Sequence, residues 1–263
     1  MREINNIKII FSFFVKKLLR SSRTKVFFFS SLIPFIVFLL IRFIELINNT
    51  SALSGPEFFS KAGMSFFYQL FIQLISLLFG TSIIADETDR KTLIYLISSP
   101  ISRFSILTGK FLSYLSISFA IFFTGLSLLL IATHTEILFS SIFAEKFILL
   151  TLSGFLSIIA YSSLFLLFGT LLKKSTIIGL FFIFGWEYIA IFIQGSAQKL
   201  TIIHYIRAIT PVRINMGNSP FASLAGTVPT VEAIIVLILF SSVCIYISSL
   251  IFKNKEYIMT GNI

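Results

Sequence analysis

The chain has 263 residues, 56% of them hydrophobic and only 12% charged, with a mean hydropathy of +0.97. Soluble domains carry about a quarter charged residues, so this composition excludes a soluble globular protein and describes a polytopic membrane protein. The net charge of +10 would point to nucleic acid in a soluble chain, but here the basic residues stand at the ends of apolar runs, where they read as topology signals and lipid headgroup contacts, and no nucleic-acid partner is expected.

Residues 2–20 precede any spanning segment. Ile4, Ile7, Phe11, Phe14 and Leu18 recur at helical spacing, with Asn5, Lys8, Ser12 and Lys16 on another face. Followed by Lys17, Arg20, Arg23 and Lys25, the pattern predicts a basic amphipathic helix lying in the membrane interface. No cleavable leader is expected, because the first long apolar run starts near Val26 and no small-residue cleavage site follows it.

A span needs about 20 mostly apolar residues. Six segments qualify: 25–47, 63–85, 104–133, 147–172, 176–194 and 231–252. The expected fold is an all-α membrane protein with six transmembrane helices in one domain covering 1–263. Pro34 is placed to kink the first span, and Arg42 and Glu45 near its far end can pair or snorkel towards water. The third segment is longer than a bilayer requires. An even number of spans puts both termini on one side. That side would carry 15 Lys and Arg residues against 6 on the other, so the termini are expected to be cytoplasmic. Of the opposite loops, 195–230 is the longer. Leu200, Ile202, Ile203, Ile206 and Ile209 within it predict helices at the outer surface, interrupted at Pro211 and Pro220.

Between the second and third spans lies a charged island, Ala85–Lys110, holding 7 of the 32 Lys, Arg, Asp and Glu residues. Each of these charges would cost roughly 2.5–3.5 kcal/mol in hydrocarbon, so the island belongs in water or against another protein. Its middle, Thr92–Ser99, is apolar enough for a short amphipathic helix. Pro100 biases Ser99 away from helix and ends it, Ser102 can cap the helix that follows, and Arg103 is expected to anchor at the lipid surface.

Enzyme motifs are missing. There is no GxxxxGK[ST] loop to hold a nucleotide, and no HExxH, GxSxG or CxxC. The single Cys244 excludes an internal disulfide, and His134 and His204 read as interfacial polar residues. No catalytic residue and no metal site is expected. Inside the spans, Gln69 and Gln73 lie four apart on one helical face, either as an interhelical hydrogen bond or as the lining of a substrate path. Glu187, between Trp186 and Tyr188, reads as a headgroup-level anchor or a polar group on that path. Glu232 suits the dipole at the start of the last span, and the pairs Ser241–Ser242 and Ser248–Ser249 suit close helix packing.

The island resembles the cytoplasmic loop of ABC-2-type transporter permeases. In that family an acidic residue is followed by a threonine-leucine pair, then P-[IV]-S-R, then a G-K pair opening the next span. This chain supplies Glu87, Thr92-Leu93, Pro100-Ile101-Ser102-Arg103 and Gly109-Lys110, departing only at Lys91, where many relatives have glycine. The resemblance implies an N-terminal elbow helix over 2–20 and a short coupling helix between spans two and three. It also implies a permease subunit of an ATP-driven exporter of the inner (plasma) membrane, forming a homodimer or pairing with a similar subunit. Two separate cytoplasmic ATPases would drive it. They would use ATP and Mg, while this chain binds no cofactor. The expected coupling residues are Glu87, Arg90, Thr92, Leu93, Leu96, Pro100, Ser102 and Arg103, and the expected path residues are Gln69, Gln73 and Glu187. Two alternatives remain open. One is a non-transporting membrane subunit passing mechanical work to an extracytoplasmic partner through 195–230. The other is a lipid-modifying membrane enzyme with His204 or Glu187 as acid or base.

Overall fold

The computed structural model describes residues 2–48, 54–89, 101–135, 138, 140–189, 199–210 and 228–254, with the side chains of 2 and 85–89 left out. The short helix expected at Thr92–Ser99 therefore lies outside the described residues, as do 211–227.

The described chain is a bundle of helices: α1 (Arg2–Leu19), α2 (Ser22–Asn48), α3 (55–89), α4 (Arg103–Thr133), α5 (Ser141–Leu171), α6 (Ser175–Glu187), α7 (Ile202–Ile209) and α8 (Thr230–Asn254). Five of them, α2, α3, α4, α5 and α8, are long and apolar enough to cross a membrane. The remaining span expected at 176–194 is described only as far as residue 189: it begins as α6, an apolar stretch of seven α-helical and six π-helical residues that continues as helix through Tyr188 and Ile189.

α5 is the hub, in contact with α3, α4, α6, α7 and α8. Small residues let the helices close on it. A Cβ on Gly80 would come within 2.9 Å of Phe165 Cβ, and one on Gly169 within 3.0 Å of the Thr81 carbonyl oxygen. α2 breaks at Leu32, two residues before Pro34, which lacks the N–H to continue the ladder. The break rests on α4, where a Cβ on Gly125 would sit 2.6 Å from the Ser31 carbonyl. Arg42 and Glu45 pair at 2.9 Å.

α1 lies along α4 and buries Ile10, Phe14 and Leu18. The buried stripe is offset from the one the sequence suggested: Ile4 is 60% exposed and Phe11 only half-buried. The reason is Gly109 on α4, which lets the α1 backbone approach so closely that a Cβ there would lie 2.8 Å from Ile10 Cγ2. α1, the end of α3, the start of α4 and the end of α8 meet at one end, here termed the basic end. At the opposite end Gly55 packs on the Thr133 carbonyl, and His134 on the rings of Phe59 and Phe143. Burial, then the Lys146 charge, hold the His134 imidazole below its ordinary pKa, and its Nδ1 lies 2.9 Å from Thr133 Oγ1, the contacts of a packed interfacial residue.

Candidate functional site

Two polar junctions tie the bundle together. The first sits midway along it. Tyr161 stands ten residues before Leu171, the last residue of α5, hence about 15 Å from that helix end and near the middle of a bilayer-sized layer. Its ring is fully buried and stacks on Phe165 with centroids 6.2 Å apart, which fixes the direction of the hydroxyl. Gln73 of α3 donates its Nε2 hydrogen to Tyr161 Oη at 3.0 Å. Glu187 of α6 accepts the backbone N–H groups of Ile202, at 3.1 Å, and Ile203, at 3.4 Å. The directions follow from the inventory: an amide nitrogen and a backbone N–H donate, and the phenol and carboxylate oxygens accept.

This arrangement explains where α7 lies. Thr201 precedes the helix but makes no side-chain cap bond. Glu187 supplies the cap from another element, and its negative charge complements the positive end of the helix. α7 therefore starts beside Tyr161, inside the bundle, and its Ile202, Ile203, Ile206 and Ile209 are buried against α5 and α8. The isoleucines that predicted a helix over this stretch are thus turned onto the bundle.

α6 runs antiparallel to α3, with Thr176 Oγ1 3.3 Å from Thr81 Oγ1 at one end and Tyr188 Oη donating to the Gln69 carbonyl at 3.5 Å at the other. The facing stretches of both helices are π-helical, Ser65–Phe71 in α3 and Phe182–Glu187 in α6. The structure thus gathers Gln69, Gln73 and Glu187 into one region. Gln73 and Glu187 are each 1% exposed, whereas the Gln69 side chain is half-buried. Gln73 Oε1 is buried with no hydrogen-bond partner among the described residues, and so is the Oγ of Ser76, one turn further on.

The second junction is at the basic end and uses the P-I-S-R and G-K residues. Ser102 is the N-cap of α4: its Oγ accepts the Ser105 N–H at 3.2 Å and donates to Glu3 of α1 at 2.7 Å. Ser105 Oγ donates to the same carboxylate. These bonds, Ser105 first and Ser102 second, hold the Glu3 carboxyl below its ordinary pKa. Arg103 does more than anchor at a surface. Its Nη1 donates to the carbonyl of Lys253 at 2.7 Å, satisfying the last turn of α8. Lys110 is buried, donates to the Ile83 carbonyl at 2.9 Å, and lies 4.7 Å from the centroid of the Phe14 ring. Glu87 belongs to α3, but its side chain is outside the described residues, as are Arg90, Thr92, Leu93, Leu96 and Pro100.

Sequence reasoning missed Tyr161, Glu3 and Ser105. A tyrosine amid the apolar run of α5 was a usable signal, since a buried phenol seeks a partner. Nothing in the local sequence distinguished Glu3 from an ordinary first-turn acid.

Against known proteins, no curated relative matches the chain. A protein-family model described as "ABC-2 family transporter protein" matches residues 15–190, from the second half of α1 through α6. That match covers most of the chain and includes the whole basic-end junction except Glu3 and the end of α8, so this protein belongs to the ABC-2 transporter family.

Proposed function

We propose that the chain is the permease subunit of an ATP-driven exporter, working as a pair, with itself or a similar subunit, above two cytoplasmic ATPases that bind and hydrolyse ATP with Mg. Family membership supports a multi-pass membrane transport subunit that is not itself catalytic. In this reading the basic end faces the cytoplasm, α1 is the elbow helix in contact with lipid headgroups, and α6 with the residues after it forms the fifth of six spans. The observation that carries the proposal is the basic-end junction. The residues closing the segment 90–100 are hydrogen-bonded to α1 through Ser102 and to α8 through Arg103, and Lys110 fastens α4 to α3. A push received by that segment through Glu87, Arg90, Thr92, Leu93, Leu96 and Pro100 would reach four helices as one displacement.

Gln69, Gln73 and Glu187 are the proposed path residues, in different roles. Gln69 is open enough to meet cargo directly. Gln73 offers the unpartnered Oε1, and Glu187 shapes the wall by holding α7. The test is co-purification of the full-length chain with an ABC ATPase, followed by joint replacement of Glu87, Leu93 and Leu96. Loss of the ATPase from the complex is expected; retained binding together with retained ATP turnover would sink the coupling assignment.

A further inference from the structure

A cleft of about 580 Å³ opens at the basic end between α1, the start of α4 and the end of α8. Its walls are mostly apolar, with Ile7 and Phe104 among the residues that line them. Three charged residues share the lining: Glu3 of α1, Arg103 of α4 and Lys253 of α8. Acid and bases do not neutralise one another, for no ion pair joins Glu3 to Arg103 or Lys253 among the described residues. The hydroxyls of Ser102 and Ser105 both bond one oxygen of the Glu3 carboxylate, which leaves the other without a partner among those residues. Arg103 spends Nη1 on the carbonyls at the end of α8, and its Nη2 and Nε hydrogens stay unspent there. Lys253 is exposed.

Opposite charges that face one cleft without pairing suit a ligand that carries both signs. The position of the cleft selects a lipid. α4 and α8 are apolar enough to cross a membrane, and the cleft lies where both reach their charged ends, at the depth of headgroups. Phe104 is 55% exposed and Ile4, beside Glu3, 60%, an apolar flank that acyl chains would cover and a soluble ligand would not need. We infer that the cleft binds one phospholipid with a zwitterionic, primary-amine headgroup, its ammonium on Glu3 and its phosphate on Arg103 and Lys253. A primary ammonium donates N–H to the open carboxylate oxygen, which a quaternary ammonium cannot do. A headgroup with a phosphate and no amine leaves Glu3 facing the ligand without a counter-charge. Bound there, the lipid touches α1, α4 and α8 together, the helices that Ser102 and Arg103 already join. The inference rests on the chain spanning a membrane and not on the permease reading.

The experiment is native mass spectrometry of the full-length chain, purified in detergent and stripped of lipid. It is given equal amounts of phosphatidylethanolamine, phosphatidylcholine and phosphatidylglycerol with the same acyl chains, told apart by mass. Wild type should hold one phosphatidylethanolamine at an occupancy about fivefold above either of the others. Glu3→Gln keeps an acceptor for Ser102 and Ser105, and should bring phosphatidylethanolamine and phosphatidylcholine to equal occupancy. Lys253→Gln, at an exposed position, should lower both by about threefold and leave their ratio unchanged. Lys61→Gln, at the opposite end, should alter none of the three. Equal occupancy in wild type overturns the inference, as does a preference that survives Glu3→Gln. A preference for phosphatidylglycerol would overturn it too, by marking a plain anion site. So would displacement of the lipid by an equal concentration of O-phosphoethanolamine, since the acyl chains would then contribute nothing. Where a variant fails to fold, judged by circular dichroism, the wild-type comparison still decides. Failure of the ATPase to co-purify would instead overturn the permease reading and leave the lipid site intact.

Discussion

The mid-depth and basic-end junctions use similar bonds in opposite surroundings. At mid-depth, Gln73, Tyr161 and Glu187 are nearly inaccessible, and every bond is made where water cannot replace it. At the basic end, Glu3 is exposed and Ser102 and Arg103 are half-buried, so water competes at these three, while Ser105 and Lys110 are buried. The same hydrogen bond is therefore worth different amounts in the two places. Removing a partner at mid-depth strands the other groups in low dielectric, whereas at the basic end the stranded group is rehydrated. The bonds of Glu3, Ser102 and Arg103 can therefore be adjusted one at a time, whereas those at mid-depth cannot be broken without stranding a buried group.

Three measurements would sharpen or break this contrast. The largest effect should follow Glu187→Leu, which leaves the buried amides of Ile202 and Ile203 without their acceptor. A loss of about 3–5 kcal/mol is expected from thermal unfolding in detergent. A loss below that of a typical surface change would mean that the mid-depth groups have other partners. Next comes Gly109→Val. Its side chain would meet Ile10 and the Ile7 carbonyl, so α1 must lift from α4 at a cost of about 1–3 kcal/mol, read as new protease sensitivity within 2–19. The smallest effect is that of pH on Glu3. Its carboxyl is depressed when folded, so the bond to Ser102 and Ser105 contributes fully above the ordinary value of 4.5 and is lost as pH falls through the depressed one. Acidification should loosen α1 in wild type, seen as faster exchange in its first turn. Glu3→Gln should remove that pH dependence while leaving exchange around Ile202 untouched.

How legible the fold was depended on the range of the cause. The long apolar runs of α2, α3, α4, α5 and α8 could be read because hydrophobicity over about 20 residues is a local property. Ser102 was recognisable as a cap for the same reason, its partner Ser105 being three residues away. α6 and α7 could be read as helical stretches from their apolar residues, but not what joins them. Glu187 caps α7 through a pair of amides 15 and 16 residues further on, and Tyr161 is held by an amide 88 residues earlier. Arg103 was assigned to the lipid surface on charge alone, since its acceptor, a carbonyl 150 residues away, left no local trace. Gln69, Gln73 and Glu187 could be singled out as polar groups in apolar runs. That Gln73 bonds Tyr161, and Glu187 the first amides of α7, could not.

The bond from Arg103 to the carbonyl of Lys253 also bears on the order in which the protein is made. Glu3 must wait until 99 further residues exist before Ser102 can hold it, and Arg103 must then wait for 150 more before its acceptor appears. The basic-end junction thus closes in two stages during synthesis, first around α1 and only much later around α8. Until the second stage, the Arg103 guanidinium and the segment before it remain without their final support. A chain interrupted before α8 would carry an unfinished basic-end junction, with the Arg103 guanidinium still lacking the carbonyl that α8 supplies.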